Sequence, residues 1–248
     1  MLGVLLSAAL CGGILYYFTQ QYKEEHRSGF EGSVLTLYGD SIIWQGTVYW
    51  YPYLMQEFNF GHVWNLGVGG RRISGRDGSC MDDQIAQIDP ESDIIVIGGG
   101  TNDWAQNVEL GKVNSENTDE FCGALNYLCQ RLTEEFPNAR LVMMTPPYGK
   151  YPDWKEFDKD KYGLKNDRGL MIVDYGQAMA EVAEYYGIPV ADVSANAGWN
   201  DWNIEEYVKN DGAYLHPNDE GMIRVGKILI ETLKSIEPIR LTKEWEGK

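Results

Sequence analysis

Five short, almost wholly apolar runs recur along this chain, and they limit its possible folds more than any other feature. They are Val34-Leu35-Thr36-Leu37-Tyr38, the weaker Val63-Trp64-Asn65-Leu66, Asp93-Ile94-Ile95-Val96-Ile97, Arg140-Leu141-Val142-Met143-Met144 and Ile188-Pro189-Val190-Ala191-Asp192-Val193. A strand with one wet face alternates apolar and polar residues, whereas a near-continuous apolar run of this length suits a strand buried on both faces. Between the runs the period changes to that of a helix. One stretch carries Phe121, Leu125, Leu128 and Leu132, a second runs from about Leu170 to Tyr186, and the last carries Met222, Val225, Leu229 and Leu233. Strands alternating with helices predict one α/β domain, with a five-stranded parallel sheet covered by helices on both faces.

Residues 1–32 are of different material. Leu2 to Phe18 carries no charge, and Lys23, Glu24, Glu25, His26 and Arg27 follow in a polar stretch. The run sits at the lower edge of the about 17–25 residues that span a bilayer, and it exceeds the about 7–15-residue core of a cleaved signal. It reads first as a membrane anchor or uncleaved signal, ahead of a cleaved signal and a buried core helix. Ser28 to Gly32 reads as a linker, residues 33–248 as the folded domain, and the expected location is secreted or cell-surface.

Charge narrows the partners. Lys and Arg number 21 and Asp and Glu 37, a net charge of −16. Such a surface repels phosphate backbones and anionic headgroups. Arg71-Arg72 with Arg76 is too small a patch to reverse this, so no nucleic-acid partner is expected. Asp82, Asp83 and Asp89 read as a solvated acidic face. Cys122 and Cys129 lie seven apart on a helix, roughly 10 Å along its axis, too far for a disulfide. With no CxxC motif and no Cys/His cluster, the cysteines (Cys11, Cys80, Cys122, Cys129) read as small buried hydrophobes, and no structural metal is indicated.

In a sheet of this kind ligands bind beyond the carboxyl ends of the strands. The first strand ends in Gly39-Asp40-Ser41, the second in Gly67-Val68-Gly69-Gly70 and the third in Gly98-Gly99-Gly100-Thr101-Asn102-Asp103, and His216-Pro217-Asn218 directly precedes the final helix. A serine, a glycine-lined turn, an asparagine and a histidine thus converge on one rim. Acyl transfer needs that set: a hydroxyl nucleophile, a base with a pKa near neutrality, and preorganised donors for the oxyanion. Of the three histidines, His26 lies in the polar stretch and His62 precedes the second strand at the opposite end of the sheet, which leaves His216. Ser41 as a mere helix cap, Asn102 as a turn residue and His216 as a helix-start residue are the bland alternatives.

These blocks, with Asn65-Leu66 ahead of Gly67, resemble in order and spacing those of the SGNH (GDSL-type) hydrolases, over essentially Ser33 to Leu233. The resemblance implies a flavodoxin-like three-layer α/β/α sandwich and esterase or acylhydrolase chemistry without a metal or other cofactor. It assigns Ser41 as nucleophile, His216 as base, and the Ser41 N–H, the Gly70 N–H and the Asn102 side chain as the oxyanion hole. One position departs from the family's pattern: the acid expected three residues before the histidine is Ala213 here. Asp211, five residues before His216, is the nearest replacement for orienting the imidazole, with a backbone carbonyl or Asp219 as alternatives.

Aromatic residues are numerous, 8 Trp and 16 Tyr, and several fall in segments bordering the expected rim. Trp44, Trp104 and Tyr214 are the expected substrate-binding residues, with Tyr49, Trp50, Tyr51, Tyr148, Tyr151, Trp154, Trp199 and Trp202 nearby in the chain. An acidic, aromatic-rimmed cleft suits a neutral acylated sugar, so the first expectation is a carbohydrate or small-acyl esterase. A lipid-directed acylhydrolase (a lysophospholipase or thioesterase) and a non-catalytic binding module on the same fold are the alternatives.

Overall fold

A computed structural model describes residues 28–150, 165–209 and 214–238. The apolar run from Leu2 to Phe18, Cys11, Tyr151, Trp154, Asp211 and Ala213 lie outside the described residues. Among the described residues no helix is long and apolar enough to cross a membrane.

Five strands form one parallel sheet: β1 (Val34–Gly39), β2 (His62–Gly67), β3 (Ile94–Gly98), β4 (Arg140–Met144) and β5 (Val190–Ala191). Their order is β2-β1-β3-β4-β5, the flavodoxin-like winding, with its switch point between β1 and β3. The helices are α1 (Ser41–Tyr49), α2 (Tyr51–Phe58), α3 (Thr101–Ala105), α4 (Phe121–Glu135), α5 (Ile172–Tyr185), α6 (Val193–Asn196), α7 (Ile204–Tyr207) and α8 (Asp219–Ser235), with a 3₁₀ helix at Met81–Gln87. Helices α1, α2 and α8 pack together on one face, and α4 and α5 on the other. The expected α/β/α sandwich with a five-stranded parallel sheet is therefore the observed one, and every residue of β3 is buried, as its unbroken apolar run requires.

Two local departures have physical causes. β5 is only two residues long, because Asp192 turns the chain into α6, accepting from Ala195 N at 3.1 Å and from Thr145 Oγ1 at 2.9 Å. Helix α2 escapes the periodicity test because it buries only Leu54 and Phe58. The acidic residues near the 3₁₀ helix are also not simply solvated. Asp82 pairs with Arg131, Asp83 faces Arg71 at 3.6 Å, and Asp89 accepts the Trp64 indole N–H at 2.7 Å. Cys80, Cys122 and Cys129 are buried and free, and burial pushes the Cys122 and Cys129 thiols up to about 11 and about 12.

One row of the sheet decides where the first helix begins. Gly39 of β1 lies in register with Gly67 of β2 and with Gly98 of β3. A Cβ on Gly39 would stand 2.0 Å from the Gly98 carbonyl oxygen, one on Gly67 2.2 Å from Trp44 N, and one on Gly98 2.7 Å from Ile43 Cδ1. Any side chain in this row would lift α1 off the sheet. Without one, α1 settles directly on the ends of three strands and starts at Ser41.

Candidate active site

Asp40 caps α1: its carboxylate accepts the Ile42 N–H at 2.9 Å. Ser41, the first residue of the helix, therefore has a backbone N–H with no acceptor inside the helix, at the end where the dipole is positive. Asn65 holds this helix start in place. Its Nδ2 donates to Ile43 O and to Thr47 Oγ1, both at 2.7 Å, and its Oδ1 accepts Gly67 N at 2.9 Å.

His216 arrives from the far end of the chain. Its carbonyl accepts the Lys209 N–H at 2.8 Å, beside a bridge between Val208 and Pro217. Asn218 then caps α8, accepting Gly221 N at 3.0 Å and donating from Nδ2 to Glu206 O at 2.8 Å. The result is a Ser41 Oγ to His216 Nε2 separation of 3.0 Å across 175 residues of sequence. Trp50 ties the two helices together. Its ring is fully buried, packs on Gly46 of α1 and Gly226 of α8, and donates from Nε1 to Met222 O at 2.7 Å.

The third group comes from β3. Asn102 donates from Nδ2 to Arg71 O at 2.9 Å, and the buried Asp103 accepts Ile73 N and Ser74 N, each at 2.9 Å. Helix α3 thus grips the loop that carries Gly70. Gly70 has φ of 79°, a conformation that costs a side-chain-bearing residue more than glycine. An amide nitrogen carries two hydrogens, so one N–H of Asn102 remains beyond the bond to Arg71. Ser41, Gly70, Asn102 and His216 all line a single cavity of about 900 Å³.

The aromatic residues divide. Trp44 and Tyr49 line the cavity, and Trp44 is 62 % exposed. Trp104, expected at the substrate, is instead a core residue with no exposure, its indole N–H donating to Leu170 O at 2.9 Å. Tyr214 is buried too, and the Lys150 ammonium lies 5.6 Å from its ring centroid. Both were misplaced by adjacency in sequence, because neighbouring residues of a helix or turn face different ways. Trp50, Tyr148 and Trp199 are likewise buried, while Tyr51 and Trp202 are exposed outside the cavity wall. His62 stands at the amino end of β2, against Trp64, away from the rim.

The cleft also differs from the acidic one expected. Among the described residues that line it none is a carboxylate, and Lys209 carries the charge. Gln45, Thr47, Val48 and Leu215 complete the wall with Lys209, and sequence reasoning named none of them. Gln45 was reachable, since it lies one helical turn beyond Ser41. Asp219, an alternative for orienting His216, accepts the Tyr49 hydroxyl at 2.6 Å. Arg71, Arg72 and Arg76 are engaged internally, by Gly78 O at 2.6 Å, by Asp77 at 2.7 Å and by the Tyr127 ring at 3.8 Å.

Asp40 pays a penalty for its place. Burial, reinforced by the nearby Asp103 charge, pushes its carboxyl up to about 7, and its Oδ2 has no hydrogen-bond partner among the described residues. Between about pH 4 and pH 7 the folded protein therefore keeps a proton that the unfolded chain has released. The contribution of this group to stability is greatest at the acidic end and falls as pH rises through that window. Asp40→Asn retains an oxygen for the Ile42 N–H but cannot ionise. Relative to wild type, the variant is expected to gain about 1–3 kcal/mol on going from about pH 4.5 to about pH 8, measured by urea unfolding. A difference that does not move with pH would show that Asp40 carries no such penalty.

A family model described as GDSL-like Lipase/Acylhydrolase matches residues 37–223. Among curated proteins none matches the sequence. One crystal structure with 28 % sequence identity superposes with a TM-score of 0.71, covering 86 % of this chain and 100 % of that one. A possible lipase from Chitinophaga pinensis superposes with a TM-score of 0.63 at 19 % identity, over 82 % of this chain and 98 % of its own. An acetyl xylan esterase does so with a TM-score of 0.56 at 17 % identity, over 81 % of this chain and 99 % of its own. At these last two identities the likeness speaks for the fold.

Proposed function

This chain belongs to the GDSL-like lipase/acylhydrolase family, a family of ester hydrolases, and from that premise we propose that residues 33–248 form a serine esterase that removes short acyl groups from a carbohydrate. The observation that carries the proposal is the 3.0 Å contact between Ser41 Oγ and His216 Nε2 on the wall of a single cavity. His216 Nε2 accepts the hydroxyl proton as Ser41 Oγ attacks the ester carbonyl carbon. The carbonyl oxygen becomes an oxyanion, and the Ser41 N–H, the Gly70 N–H and the Asn102 amide donate to it. The C–O bond to the alcohol breaks, the imidazolium returns its proton to the departing oxygen, and an acyl-enzyme on Ser41 remains. Water then repeats the sequence and releases the acid. Asp211 is the proposed acceptor for the other imidazole N–H, which keeps Nε2 free to act as base.

The sugar assignment is supported by Trp44 and Tyr49 on the cavity wall, because a flat aromatic face suits a pyranose ring and its low polarity. A lipid-directed acylhydrolase is the second reading, favoured by Val48 and Leu215 on the same wall. Acetate release from acetylated oligosaccharides, set against hydrolysis of long-chain p-nitrophenyl esters, separates the two. The expected result is a preference for the acetylated sugar, and a preference for long acyl chains would reverse the assignment.

The oxyanion role has its own test. Asn102→Ala is expected to lower kcat on p-nitrophenyl acetate by about 100- to 1000-fold, with a much smaller change in KM, since the lost donor acts mainly on the developing charge. A kcat within about threefold of wild type would remove Asn102 from the oxyanion hole.

A further inference from the structure

Lys209 is part of the frame that holds the base. Its N–H donates to the His216 carbonyl at 2.8 Å, and its ammonium reaches α1, donating to Gln45 Oε1 at 3.3 Å. Gln45 stands one turn beyond Ser41, so the cation is anchored to both halves of the Ser41–His216 pair. An ammonium has three donors, and Gln45 takes one. Among the described residues no carboxylate lies within ion-pair distance of Lys209 Nζ and none lines the cavity. Two other lysines do meet carboxylates, Lys150 with Asp201 at 3.1 Å and Lys234 with Glu57 at 2.8 Å. It has 37 acidic residues and a net charge of −16. An ammonium positioned beside the reacting groups, with no carboxylate partner among the described residues of so acidic a chain, fits an anion that arrives with the substrate.

We infer that Lys209 is a specificity-determining residue that pairs with an anionic group on the alcohol portion of the ester, the carboxylate of an acidic sugar. The inference rests on the esterase reading above. An acyl group as small as acetyl carries no charge of its own, so the anion belongs to the alcohol. The two ammonium hydrogens beyond the one given to Gln45, which meet no acceptor among the described residues, supply the charge-assisted bonds. The acidic exterior does not prevent entry, because repulsion between exposed charges is screened over about 10 Å at ordinary salt, whereas a contact pair inside the cleft is screened much less. The neutral sugar expected from the sequence alone thereby becomes an acidic one.

The test compares 3- and 4-acetoxybenzoate with the corresponding neutral acetoxybenzamides, reading the anion-to-neutral ratio of kcat/KM. Wild type is expected to favour the anions. Lys209→Met should lower that ratio by about 10- to 100-fold, the worth of one charge-assisted contact, and Lys209→Arg should keep most of it. A wild-type ratio at or below one, or an unchanged ratio in Lys209→Met, overturns the inference and leaves the esterase reading standing. If no ester is cleaved faster by wild type than by Ser41→Ala, the esterase reading fails and this inference with it. Partially acetylated polygalacturonate and 1-acylglycerol 3-phosphate then identify the anion. Acetate release from the former that Lys209→Met abolishes supports the acidic sugar. Deacylation only of the latter, sensitive to the same variant, overturns the sugar and assigns a lipid phosphate.

Discussion

Ser41→Ala is expected to lower the rate of ester hydrolysis by about four to six orders of magnitude while leaving the fold intact. The loss is that large because in the proposed mechanism the hydroxyl becomes covalently bonded to the acyl group, and nothing else described in the cavity wall can take its place at 3.0 Å from His216 Nε2. A fluorophosphonate probe reads the same event directly. Ser41 Oγ attacks phosphorus, fluoride leaves, and the phosphonyl group remains on the serine. Native protein should be labelled at Ser41 and Ser41→Ala should not. His216→Ala should fall to a similar rate, and the double variant should be no slower than either single one, because a nucleophile without its base is already disabled. The small volume change at Ser41, which is 9 % exposed, makes the thermal midpoint a fair control for folding. Equal labelling of wild type and variant would defeat the nucleophile assignment, and no labelling of either would leave a binding module as the better description.

The largest effect on stability should come from Trp50→Ala. The ring is fully buried between α1 and α8, where Gly46 and Gly226 leave room for it; a Cβ at either would stand 2.3 Å and 2.4 Å from its atoms. Removing it opens a ring-sized cavity at the joint between the helix that starts at Ser41 and the helix that follows His216. It also deletes the bond from Nε1 to Met222 O. Truncations of this kind cost about 3–5 kcal/mol, equivalent to a fall of roughly 6–20 °C in the thermal midpoint for a domain of this size. Trp50→Phe keeps most of the packing and should lose about a third of that or less. The catalytic rate of Trp50→Ala should drop as well, through a lengthened contact between Ser41 and His216, and the drop should exceed that of Trp50→Phe. A midpoint within about 2 °C of wild type would show that the two helices are held by other contacts.

Much of this molecule was legible in the chain. Helices α4, α5 and α8 lie within about three residues of their apolar periodicities, and the four motif blocks do fall at the rim formed by β1, β2, β3 and the start of α8. Both follow from local rules: a helix buries residues three or four apart, and a doubly wound sheet gathers its loops at one edge. What escaped was mostly the direction of a side chain. Trp104 lies two residues after Asn102, yet Asn102 lines the cavity and Trp104 is sealed in the core, since two steps along a helix turn the side chain by about 200°. Adjacency could not tell a cavity residue from a packing residue.

The α/β class with its parallel sheet, the proposed acyl-transfer constellation and the choice of His216 over the two other histidines as candidate base were read from the sequence alone, because each depends on residue type and on the edge of the sheet where a segment ends. The tertiary structure decided the rest. It set the close approach of Ser41 and His216, allowed by three glycines lying side by side and held by one tryptophan between two helices. It also brought Lys209 into the cleft through a bridge between Val208 and Pro217 that no periodicity announces. Neither contact follows from the periodicity of one segment, and their geometry exists only once the whole sheet has closed around them.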